Sequence, residues 1–171
     1  MYCVFDSETG STEHKGRKGN PWVNKILAIG LKYQNPIGTG QYDRCLPPNE
    51  YIEDTFALAQ DYMPKGWLEG VTILIGHNIK FDLLHIWRND ELQSYLQSGG
   101  RIWDTQLAEY ILTGQRAKYA ALRDIATSKY GCSERTKNIE DGLKAGIMTQ
   151  DMDIEDLLFD VKNFSIKSLL S

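Results

Sequence analysis

Two short β-rich runs, each passing straight into polar residues, constrain the fold of this chain more than any other feature. Tyr2-Cys3-Val4-Phe5 leads into Asp6-Ser7-Glu8, and Val71 to Ile75 leads into Gly76-His77-Asn78. A short, nearly continuous apolar run is what a strand covered on both faces looks like. Helical spacing from about Ile79 to Gln97 follows the second run, and Arg101 to Trp103 reads as a brief strand. Strand, crossover helix and strand make a parallel unit. Lys25 to Tyr33, with Ile26, Leu27, Ile29 and Leu31, predicts another strand, and a short one is expected at Tyr42 to Leu46. Pro47-Pro48 closes that strand, and Ile52, Phe56, Ala59 and Met63 have the spacing of a helix. Asp104 is placed to cap a helix through Leu107, Tyr110 and Ile111, and Leu122 to Tyr130 predicts one more, stopped by Gly131. The expected class is α/β: a mixed five-stranded sheet, three antiparallel strands and then parallel ones, flanked by helices.

A length of 171 residues suits one domain, 1–171. No stretch approaches the roughly 18–20 apolar residues that span a bilayer, so no membrane partner is expected. The N-terminus has no basic region followed by an apolar run. Cys3, Cys45 and Cys132 are scattered, without zinc-ligand or disulfide spacing, which points to a reducing cytoplasm. The net charge of −4 and pI of about 5.4 argue against tight, salt-driven binding to long duplexes. Any contact with nucleic acid would be local.

Asp6 and Glu8 stand two apart on a strand, so their side chains leave the same face. Two carboxylates on one face repel unless a cation lies between them, and Mg²⁺ or Mn²⁺ favours such oxygen ligands. Taken alone, the pair is more simply read as an exposed acidic strand end, because such pairs are common. The segment Gly76-His77-Asn78-Ile79-Lys80-Phe81-Asp82 adds a second acidic strand end, with Asp82 in the first turn of a helix. Asn78 as a simple cap and Asp82 as a first-turn acid would account for each residue singly.

Together these segments carry a resemblance. Asp6-Ser7-Glu8-Thr9-Gly10 resembles the first motif of the DEDD (DnaQ-like) 3′→5′ exonucleases, and Asn78-Ile79-Lys80-Phe81-Asp82 resembles the second. Lys18 to Trp22, Trp103 to Tyr110, Leu112 to Gln115 and Leu122 to Gly131 are similar to further segments of the proofreading domains of phage-type family A DNA polymerases. The resemblance implies a ribonuclease H-like fold and two-metal hydrolysis of a 3′-terminal phosphodiester. It implies two Mg²⁺ or Mn²⁺ ions, about 3.5–4 Å apart in such sites. Asp6 would bridge them, Glu8 would bind one ion and orient the terminal nucleotide, and Asp82 would hold the second. Thr9, Asn78, Lys80 and Phe81 would place the strand. The implied partners are the 3′ end of single-stranded DNA and a DNA polymerase domain or subunit, in a bacterial host's cytoplasm if the chain is phage-encoded.

The family's third motif has an Asp four positions after a Tyr or five after a His. Asp160 is the candidate here, but Asp156 and Glu155 stand at those positions, and all three histidines lie at or before His85. An alignment without a gap puts Asp160 at the Tyr and Phe164 at the Asp. The pattern diverges after about residue 158, and loss of a general base removes about 10²–10⁴-fold in rate. The alternative expectation is therefore a catalytically impaired nucleic-acid-binding module with the same fold. His14, Lys15, Arg17 and Lys18 form a basic loop that either contacts phosphate or is simply solvated. Lys80 is the better phosphate candidate. His85 reads as a packing residue, and Trp67, Trp87 and Trp103 as parts of the core and its edges.

Overall fold

A computed structural model describes residues 1–10, 20–34, 52–57, 63–116, 118–130 and 137–157. The strands β1 (Tyr2–Thr9), β2 (Ile26–Gln34), β3 (Ile52–Ala57), β4 (Ile73–Gly76) and β5 (Arg101–Asp104) lie in the order β3-β2-β1-β4-β5. β1 is antiparallel to β2, and β2 to β3. β1, β4 and β5 run parallel. The helices are α1 (Ile79–His85), α2 (Asp90–Gln97), α3 (Thr105–Leu112), α4 (Leu122–Tyr130) and α5 (Lys137–Lys144), with a 3₁₀ turn at Thr149–Asp151. The α/β class and the mixed sheet flanked by helices agree with the sequence pattern.

β1 is an inner strand, and both of its faces are covered. Cys3 and Phe5 face the main core, which includes Ile29, Leu31, Trp67, Leu74, Ile79, Leu83 and Leu92. Val4 faces the other way and packs with Ile75. This explains why four successive residues at the start of the chain are apolar. Cys3 is fully buried, and burial pushes its thiol up to about 12, so it is a core residue rather than a nucleophile.

Two expectations and one alternative reading are corrected. Ile52–Ala57, expected to open a helix, is β3, paired residue for residue with Ala28 to Tyr33 of β2. Ile52, Thr55 and Phe56 are strand-favouring types, and the ladder to β2 overrides the helical spacing. The single helix expected at Ile79 to Gln97 is two. Asn89 adopts an extended conformation and caps α2, its Oδ1 accepting from Leu92 N at 2.9 Å. Asn78 is no side-chain cap. It makes no such bond and sits in the left-handed region at φ 56°, ψ 37°. The expected strand at Tyr42 to Leu46, the basic residues His14, Lys15, Arg17 and Lys18, and Asp160 lie outside the described residues. Trp67 is buried, whereas Trp87 and Trp103 are exposed.

Candidate functional site

Because β1, β4 and β5 are parallel, their C-terminal ends collect at one edge of the sheet. In open α/β sheets that edge is where ligands bind. Here it brings together Glu8 and Thr9 from β1, the Gly76-His77-Asn78 turn from β4, and Asp104 from β5.

β1 divides its polar residues between two faces. Ser7 follows Cys3 and Phe5 toward the α1 side and is buried. Asp6 and Glu8 follow Val4 to the opposite side and are half-buried. On that side Asp6 is opposite Gly30 of β2 and Glu8 is opposite Ala28. Ala28 is covered by Ile139 of α5 and by Leu157, with Met152 packed against them. The 3₁₀ turn closes the end of β1, where a Cβ on Gly10 would lie 3.4 Å from Gln150 Oε1. Lys32, opposite Val4 in the same register, shares this face and is buried. Sequence reasoning missed it, although a lysine within an otherwise apolar strand is itself a signal.

Asp82 lies on the Ser7 side. Ser7 Oγ donates to its Oδ1 at 2.6 Å, and the residue is 5% exposed. Burial, only partly offset by the Ser7 hydroxyl and backbone N–H groups, pushes its carboxyl up to about 7, and the nearby Asp104 carboxylate adds to the rise. The three expected carboxylates thus belong to one edge of the sheet but to two of its faces. Ser7 is a further residue of the site that sequence reasoning passed over.

Asp104 has a wider role than the expected cap. Its Oδ1 accepts from Gln106 N at 2.9 Å and Leu107 N at 3.3 Å, and also from Asn78 N at 3.0 Å. One carboxylate oxygen therefore starts α3 and holds the left-handed turn after β4. Asp104→Ala is expected to cost about 1 kcal/mol as a lost cap. It should also increase amide exchange at Asn78, read by hydrogen-exchange mass spectrometry or NMR.

His77 fastens the same turn from the other side. Ala120 O can only accept, so His77 Nε2 carries the hydrogen in their 3.0 Å contact. Nδ1 lies 3.1 Å from Thr105 Oγ1. Burial lowers the pKa of this imidazole, which favours its neutral form. Asn78 and Lys80 are exposed beside the edge, while Thr9 and Phe81 are half-buried. Phe81 packs on His85 with ring centroids 4.7 Å apart. His85 Nδ1 lies 2.9 Å from Phe81 O, as expected of a packing residue.

No protein-family model matches this sequence, and no curated protein does. The reading of the site rests on its own residues. Among the described residues, no three His, Cys, Asp or Glu side chains are grouped so as to hold a metal ion. A two-ion centre needs several carboxylates on common cations. Asp82 Oδ1 is held by Ser7, and the described residues do not by themselves make up such a centre.

Proposed function

We propose that the chain is a ribonuclease H-like 3′→5′ exonuclease with a five-stranded sheet. It removes nucleotides from the 3′ ends of single-stranded DNA and depends on Mg²⁺ or Mn²⁺. In this reading it is the proofreading part of a phage-type polymerase or a detached relative of one. The observation that carries the proposal is the parallel pairing of β1 and β4. It supports a common site by bringing the Asp6–Glu8 end of β1 and the turn that leads into α1, the helix carrying Asp82, to the same edge. Hydrolysis there would form a bond from water oxygen to the terminal phosphorus and break the bond to the 3′ oxygen of the preceding sugar. An unpaired end suits an edge where Lys80 is exposed and Phe81 is half-buried.

Two observations favour a second reading, a nucleic-acid-binding module without turnover. The carboxyl of Asp82 is buried against Ser7, and the described residues form no three-ligand group. A 5′-labelled single-stranded oligonucleotide incubated with Mg²⁺ or Mn²⁺ separates the two. The exonuclease gives a ladder shortening from the 3′ end, which disappears in Asp6→Ala. Digestion with neither ion would overturn the first reading, and retained binding without digestion would support the second.

No described helix is long and apolar enough to cross a membrane.

A further inference from the structure

The turn that enters β2 presents an aromatic side chain for which the fold has no evident use. Trp22 is 70% exposed and its neighbour Val23 is 68% exposed. Yet the backbone beneath them is tightly held. Asn20 Oδ1 accepts from Trp22 N at 3.0 Å, and Asn20 O accepts from Val23 N at 2.9 Å and Asn24 N at 2.7 Å. Asn20 N donates to Asn24 Oδ1, and Pro21 restricts the first step of the turn. Gly10 N donates to Lys25 O at 2.9 Å, which fastens the turn to the end of β1, two residues beyond Glu8.

An indole left in water gains nothing for the core, and a single exposed apolar residue alone would carry no meaning. The position is what distinguishes this one. It stands at the sheet edge of the candidate site, on a pre-formed turn, so little ordering entropy remains to be lost on binding. Lys25 is exposed three residues away. An exposed aromatic side chain with a cation three residues along the same turn matches the chemistry of single-stranded nucleic acid, whose bases stack and whose phosphates need positive charge.

We propose that Trp22 is a stacking platform for an unpaired base near the 3′ end of a single strand entering the edge beside Glu8. This rests on the reading of that edge as a nucleic-acid site and adds a binding residue outside the carboxylate motifs. A protein partner seated on Trp22 is the competing occupant, and the test addresses it.

The probe is a short 5′-fluorescein oligothymidylate with nuclease-resistant phosphorothioate linkages, titrated by anisotropy in Mg²⁺ buffer against full-length wild type, Trp22→Ala and Trp22→Phe. Stacking of one base on an aromatic residue accounts for about a five- to hundredfold difference in affinity. Trp22→Ala is expected to bind weaker by that factor, and Trp22→Phe to recover most of the loss. An oligonucleotide with abasic 3′-terminal positions should bind wild type as weakly as it binds Trp22→Ala. Thermal melting should be the same for all three proteins, because the side chain is in solvent. If wild type binds and Trp22→Ala binds equally well, the stacking role is overturned, the reading of the site survives, and a protein occupant becomes the better account of Trp22. If the substitution weakens normal and abasic strands alike, a base-stacking role is also overturned. If wild type does not bind at all, this inference and the nucleic-acid reading fall together.

Discussion

Asp82→Asn is expected to stabilise the protein in metal-free buffer at pH 8 by about 4 kcal/mol and to change it little at pH 4. The carboxyl is buried against Ser7 and its pKa is raised from 3.8 to about 7. Between those values the folded protein binds a proton that the unfolded chain has released. Stability therefore falls as pH rises from about 4 toward 7 and levels off above, where both states carry the charge. An amide keeps an oxygen for the Ser7 hydroxyl and carries no charge to desolvate. For a chain of this length the gain corresponds to a Tm rise of roughly 8–16 °C at pH 8. Calorimetry of both proteins from pH 4 to 8 checks it. A wild-type Tm that does not decline relative to the variant across that range would show that Asp82 is solvated and that its bond to Ser7 does not persist.

The same substitution tests function separately. If Asp82 takes part in the proposed hydrolysis, the stabilised variant should produce no 3′-end ladder under conditions where wild type does. Higher stability with lost activity is the signature of a group kept at an energetic cost to the fold. Higher stability with undiminished digestion would remove Asp82 from the machinery. It would leave the carboxyl a structural partner of Ser7.

Much of the frame is legible in the sequence because it is set by local chemistry. Tyr2 to Phe5 and Ile73 to Ile75 are apolar at every position because β1 and β4 are covered on both sides. Asp104 announces α3 through its capping carboxylate, and Gly131 stands just after the helix at Leu122–Tyr130. The failures have equally physical causes. At Ile52–Ala57 the spacing is helical, but pairing with β2 is a long-range effect that no local pattern encodes. The break between α1 and α2 was readable in Asn89-Asp90-Glu91, a cap followed by first-turn acids, but the apolar spacing on either side masked it. The candidate site shows the same division. Strand alternation correctly puts Asp6 and Glu8 on one face. It cannot say which face the helix carrying Asp82 will cover. That depends on Ile79 and Leu83 joining the core of Cys3 and Phe5, and hence on Ser7 rather than Asp6 meeting Asp82.

Gly76→Ala should destabilise the protein by about 1–3 kcal/mol, through overpacking rather than backbone strain. A Cβ at this position would lie 2.7 Å from Ile79 Cγ1 and 2.8 Å from Ile79 Cβ. Those atoms sit at the root of a fully buried side chain, so no simple rotation relieves the contact, and α1 must move away from the end of β4. Asn78 is already in the left-handed region, and Asp104 and His77 hold the residues around it. The turn thus has little freedom to absorb the change. Displacing α1 would lengthen the Ser7–Asp82 hydrogen bond and admit water to the carboxyl, lowering its pKa toward the ordinary carboxylate range. Urea unfolding of Gly76→Ala is therefore expected to show lower stability at pH 5 and a shallower decline between pH 5 and 8 than wild type. Lower stability with the wild-type pH slope would mean that the clash is relieved elsewhere. Asp82 would then be held in the core by its own packing, independently of how α1 leaves the sheet.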